Sequence, residues 1–114
     1  MHHPARGEIW RVDLDPVLGH EQGGARPALI ISNDIFNSSA AGLVVIVPAT
    51  SKSRPIRSFL RIDPPEGGLK QTSFLICDQI RTISKGRLTK RMGAITAPVL
   101  AEVEQRVKFL LDLT

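Results

Sequence analysis

The run LVVIV at positions 43–47 limits the fold more than any other segment. It is far shorter than the ~20 apolar residues of a membrane span. It is mostly β-branched and Pro48 follows it, so it reads as a strand closed by that proline. Other strands fall around it. Trp10, Val12 and Leu14 alternate with Arg11 and Asp13, the period of a half-buried strand, and Asp15-Pro16 ends it. PALIIS, 27–32, is a near-continuous apolar run and reads as a buried strand. Asn33, Asp34 and residues 37–39 are turn formers. A short strand is predicted over 58–62, ended by Asp63-Pro64-Pro65 and the Gly67-Gly68 turn. SFLICDQIRTI, 73–83, reads as one long strand. Ser84 is placed to cap a single helical turn through Leu88. Thr96 is placed to cap a longer helix with Pro98 in its first turn. Val99, Leu100, Val103, Val107, Leu110 and Leu111 form its apolar stripe, with Glu102, Glu104, Arg106 and Lys108 mostly off it. The expected architecture is mostly β with helices: a small, twisted, mostly antiparallel β-barrel with a C-terminal α-helix packed on it.

No repeat or linker divides the 114 residues, so one domain is expected over 7–114 behind a short tail, 1–6. The N-terminus has no apolar segment of the secretory type. A single cysteine, Cys77, forbids an intramolecular disulfide and points to a reducing, cytoplasmic setting. The net charge of +4 favours a polyanionic partner without establishing one. His2 and His3 are either native or a remnant of cloning. With His20 far away in sequence, the three histidines show no metal-ligand spacing, and no metal or other cofactor is expected.

Three segments could carry chemistry. The loop GHEQGGARP, 19–27, sets Glu21, Gln22 and Arg26 around two glycines that let the backbone approach a ligand. Arg26 precedes Pro27, so its backbone should be extended. A planar guanidinium there suits phosphate recognition; an ordinary solvated arginine is the alternative. Thr50 and Ser51 follow the central strand. They either donate to an anionic oxygen or bond their own turn. Counting by two from Phe74 puts Asp78 between apolar neighbours. It is then either a general base with a raised pKa or the partner of Arg26, Arg81 or another arginine. Cys77 reads as a buried small hydrophobe. Glu8 shares the parity of Trp10 and is expected to point inward at the barrel rim. Lys52, Arg54, Arg57 and Arg61 form a basic stretch, either a solvated face or a track for a sugar-phosphate backbone. One Trp, four Phe and no Tyr give little for base stacking. No P-loop, GxSxG, HExxH or GxGxxG occurs.

RGEIWRVDLDP (6–16), GHEQGGARPALIISND (19–34), VVIVPATS (44–51) and DQIRTISKGRL (78–88) together resemble the MazF/PemK/Kid family of toxin endoribonucleases. The resemblance runs in order from Arg6 to Leu113. It implies an SH3-like small β-barrel, related to the CcdB toxin, that forms a homodimer. It also implies metal-independent, sequence-selective cleavage of single-stranded RNA, not DNA. The ribose 2′-OH attacks the adjacent phosphorus and leaves a 2′,3′-cyclic phosphate and a 5′-OH end. By the same resemblance, Arg26 is the phosphate-stabilising or acid arginine and Thr50 the hydrogen-bond donor of the transition state. Glu21 is an acidic loop residue implicated in activity, and Asp78 the base of the Kid branch. His20, Gln22, Ser51, Gln79, Arg81 and Glu8 would line the RNA groove. Kid-type proteins carry an arginine two positions before the aspartate. Ile76 stands there in this chain, which favours a MazF-style Arg26/Thr50 pair. A cognate antitoxin, through an acidic C-terminal segment, is the implied protein partner. Two rivals differ in kind: a non-enzymatic CcdB-like barrel that binds a protein target such as gyrase, and an inactive member that only binds RNA or antitoxin.

Overall fold

The computed structural model describes residues 3–16 and 18–113, which leaves His2 and Val17 outside the described range. The strands are β1 (Glu8–Asp13), β2 (Ala25–Ile30), β3 (Leu43–Thr50), β4 (Phe59–Ile62), β5 (Ser73–Ile76), β6 (Arg81–Ser84) and β7 (Leu88–Ala94). The helices are α1 (Asp34–Asn37) and α2 (Ala97–Leu111). All strand pairs are antiparallel, in the order β4-β5-β3-β2-β1-β7, with β6 also on β3. This is the mostly β fold with a C-terminal helix that the sequence implied. The sheet wraps without closing, because β4 and β7 end the strand path as its two edges.

β3 runs through Pro48 to Thr50 and is not closed by the proline. The reason lies in its partners. Ile31 N donates to Val45 O at 3.0 Å, so 45 and, two residues on, 47 turn their backbone groups toward β2. Pro48 turns its nitrogen to the opposite edge. There β6 pairs only as far as Ile46 and β5 begins at Ala49. The missing N–H therefore falls where no strand asks for it.

The expected long strand over 73–83 is two strands. β5 and β6 pair with β3 in registers three residues apart, and Cys77–Gln79 take up those three residues as a 3-10 turn. The single helical turn expected over 84–88 is present, with Ser84 as its N-cap. Lys85–Arg87 form a single 3-10 turn, with Ser84 Oγ accepting from Gly86 N at 3.3 Å, and Leu88 already opens β7.

The sheet is buried on both faces, which explains the continuous apolar run of β3. Ile9, Leu29, Val47, Ala49, Leu75 and Val103 belong to one core cluster, against which Val99 and Val107 of α2 pack. Val12, Leu14, Ala28, Ile30, Val44, Ile46 and Ile83 form the other, with Trp10 against it. Pro98 lies in the first turn of α2, but Thr96 makes no side-chain cap; its N–H donates to Glu66 Oε1 at 2.5 Å. The helical stripe holds at Val99, Val103 and Val107 and fails beyond, where Leu110 and Leu111 are about half exposed.

The segment between β4 and β5 meets β7 backbone to backbone. Gly68 has φ +74°, and a Cβ there would lie 2.0 Å from Met92 O. One at Gly93 would lie 2.7 Å from Gly67 C. Gly68→Ala is expected to destabilise the protein by about 3 kcal/mol, since strain and overpacking add. Gly42→Ala, with φ +70° but nothing within 4 Å of the added carbon, should cost only about 1 kcal/mol. Urea unfolding of both variants checks the difference.

Candidate functional site

Arg26 enters β2 beside the end of β3. Its Nε donates to Gly23 O at 2.7 Å and its NH1 to Ala49 O at 3.1 Å. The second bond sets the guanidinium one residue from Thr50. Arg26 and Thr50 line a common cleft of about 500 Å³. Ser51 and Lys52 continue its wall, Arg11 enters from β1, Met92 from β7, and Leu69, Lys70, Gln71 and Ser73 from the segment before and at the start of β5. Among the described residues, those lining the cleft include four cations (Arg11, Arg26, Lys52 and Lys70) and no carboxylate. Such a lining attracts an anion.

The two central side chains are tied down but not used up. Arg26 has given two of its five N–H groups to carbonyls. Burial pulls its pKa below the ordinary value and Asp15 opposes that. An arginine starts so high that it stays charged. Thr50 Oγ1 accepts from Lys52 N at 3.2 Å, which leaves its hydroxyl proton for a ligand.

The other residues singled out from the sequence lie elsewhere. Glu21 is exposed and does not line the cleft; its Oε1 accepts from Leu18 N at 2.6 Å, within its own loop. His20 and Gln22 share that loop and do not line the cleft either. Asp78 corrects an expectation. The strand breaks at Cys77, so counting by two fails, and Asp78 is exposed. It accepts from Ser58 Oγ at 2.9 Å, not from an arginine. It lines a second depression with Arg57, Arg106, Phe109 and Leu110, where Arg57 lies 5.7 Å from the Phe109 ring centre. Gln79 and Arg81 do not line the cleft. Cys77 is buried, and burial pushes its thiol up to about 11, as suits a small hydrophobe. Arg11, Lys70 and Gln71 were missed. Arg11 carried a signal in its outward parity on β1; the other two sit in a segment with no pattern.

Glu8 is buried, 5% exposed, and away from the cleft. It accepts from Arg91 Nε at 2.5 Å, Ala5 N at 2.7 Å and Trp10 Nε1 at 3.0 Å. Among the described residues, no group of three or more His, Cys, Asp and Glu could hold a metal ion.

Residues 5–111 match the family of PemK-like, MazF-like toxins of type II toxin–antitoxin systems. The chain belongs to this family. It is 37% identical over 113 residues to endoribonuclease MazF9 of Mycobacterium tuberculosis, covering 95% of this chain and 96% of that one. Its fold superposes on MazF of Deinococcus radiodurans with a TM-score of 0.89 at 28% identity, over 99% of this chain and all of the other. It also superposes on a mycobacterial endoribonuclease in complex with its cognate antitoxin, with a TM-score of 0.78 at 28% identity, over 100% and 98% of the two chains.

The Glu8 cluster gives a pH prediction. Burial raises the carboxyl pKa, but the bonds from Arg91, Ala5 and Trp10 and the charge of Arg91 outweigh it and bring the value down from 4.5 to about 2. A depressed carboxylate adds stability that is complete above its unfolded value and lost as pH falls through the folded one. Wild-type stability should therefore decline between pH 4.5 and about 2. Glu8→Gln should start less stable at neutral pH and lose that part of the slope, as read from urea midpoints taken down the pH range.

Proposed function

We propose that this endoribonuclease toxin of a toxin–antitoxin system cleaves single-stranded RNA at the cleft shared by Arg26 and Thr50. The observation that carries the reading is the Arg26 NH1 bond to Ala49 O, which puts a guanidinium and a free hydroxyl proton in one cationic cleft. The substrate's own 2′-oxygen is the nucleophile. As its proton leaves, the 2′-oxygen bonds to phosphorus and the bond from phosphorus to the 5′-oxygen breaks. The products are a 2′,3′-cyclic phosphate and, once the 5′-oxygen has taken a proton, a 5′-OH.

Charge accumulates on the non-bridging oxygens in the transition state. Arg26 clamps them and Thr50 donates a hydrogen bond. Arg26 acts as an electrostatic clamp rather than an acid, because its pKa lies so far above neutrality. Of the two candidate carboxylates, Glu21 is the better base. It rides on the loop that carries Arg26, whereas Asp78 faces the second depression. To reach a 2′-OH, Glu21 must release Leu18 N. Arg11, Lys52 and Lys70 would hold flanking phosphates, with Gln71 and Ser51 beside them. The reading includes a homodimer acting on mRNA in the cytoplasm, with selectivity set by the loops at 17–26 and 49–56. It also includes a cognate antitoxin whose acidic C-terminal segment covers the same cations.

The test is cleavage of a long RNA by purified protein in the presence of EDTA, with the end groups mapped. Cuts ending in a 2′,3′-cyclic phosphate, abolished by a 2′-deoxy nucleotide on the 5′ side of the bond, are expected. Arg26→Ala should lower the single-turnover rate by about 10²–10³-fold, the usual loss of one transition-state donor. Wild-type cleavage by Arg26→Ala would overturn the site.

A further inference from the structure

The cleft arginine does not hold itself. Its Nε is fixed by Gly23 O, and Gly24, next in the chain, sits at φ +75° with both its backbone groups engaged. Gly24 O accepts from Leu14 N at 3.0 Å. Gly24 N donates to Asp15 Oδ1 at 2.9 Å. Asp15 is itself pinned from the far side: its carbonyl, and that of Asp13, accept from Arg87 NH1 at 2.6 and 3.1 Å, and its N–H donates to Asp13 Oδ1 at 3.1 Å. A chain of contacts thus runs from the turn before β7, through the end of β1, to the glycine pair that orients Arg26.

We propose that Asp15 is a positioning residue for RNA cleavage, its carboxylate anchoring the Gly23–Gly24 turn so that Gly23 O presents Arg26 to the scissile phosphate. This rests on the reading of Arg26 as the phosphate clamp. Asp15 does not line the cleft and touches no reacting atom. Its negative charge also favours the protonated guanidinium, a smaller contribution in the same direction. A clamp that is off by a fraction of an ångström loses its advantage mainly in the transition state, so the loss should appear in the chemical step rather than in RNA affinity.

A double-mutant cycle tests this, with single-turnover rate and RNA Kd measured separately. Asp15→Ala should slow cleavage about 10–100-fold with Kd changed less than about twofold. Asp15→Asn keeps an acceptor for Gly24 N and should recover most of that rate. In an Arg26→Ala background, Asp15→Ala should cost almost nothing further, because the group it positions is gone. If Asp15→Ala does not fold, as judged by its urea midpoint, Asp15→Glu takes its place in the cycle; it displaces the acceptor by one methylene and keeps the charge. The proposal is overturned if Asp15→Ala cleaves at the wild-type rate, or slows Arg26→Ala as much as it slows wild type. An Arg26→Ala variant as fast as wild type would instead sink the reading of Arg26 itself, and Asp15's role with it.

Discussion

Everything in this molecule is arranged around a strand that no single neighbour can satisfy. β3 has eight residues, both faces buried, and β2 along one edge. Its other edge is divided between β6 and β5, which together come from one stretch of chain interrupted by a 3-10 turn. The handover falls at Pro48, the one residue of β3 that has no N–H to offer. Past that point Ala49 and Thr50 emerge beside the start of β2, and Ala49 O becomes the acceptor that Arg26 needs. The position of the site is therefore a consequence of how the central strand shares its backbone hydrogen bonds.

The chemistry that follows is electrostatic. A basic chain is not by itself a nucleic-acid binder, and much of the excess charge here is spread over exposed turns. What distinguishes the cleft is that Arg11, Arg26, Lys52 and Lys70 converge from four separate stretches of chain, with no carboxylate among the described residues that line it. Glu8 is satisfied in the core, Glu21 within its loop and Asp78 by a serine beside α2. Under the proposed reading, a phosphodiester entering this space would meet an Arg26 guanidinium already held by two carbonyls, the condition under which a fixed charge lowers a barrier.

How much of this the sequence disclosed depends on what each residue faces. The alternation of β1 and the apolar runs of β2 and β3 are legible because burial imposes a pattern on them. β7, LTKRMGA, is not, since it is an edge strand whose charged residues meet solvent and whose Gly93 packs through its backbone. The break at Cys77–Gln79 is hidden for another reason: a three-residue register offset is set by the partner strand, and Asp78 and Gln79 can be counted as one position on each face of a continuous alternation. The end of the α2 stripe misled for the opposite reason, as Leu110 and Leu111 are apolar but uncovered in the single chain. Among the residues lining the cleft, Arg26 and Thr50 could be picked out because a loop-to-strand arginine and a strand-end hydroxyl have recognisable surroundings. Lys70 and Gln71 could not, because only the tertiary fold brings their segment to the cleft.

The close approach of Gly67 and Gly68 to Met92 and Gly93 has a bearing on how the cleft can diversify. The wall that carries Leu69, Lys70, Gln71 and Ser73 is seated on β7 by the main chain of Gly67, Gly68, Met92 and Gly93, with Leu69 buried in the core beside it. Lys70 and Gln71 are exposed and bear no load in that seating. They can be exchanged for residues of other size or charge without repacking anything beneath them. One half of the cleft, held by β2 and β3, is thus fixed by the central strand, while the facing half can change its exposed side chains on a rigid mount.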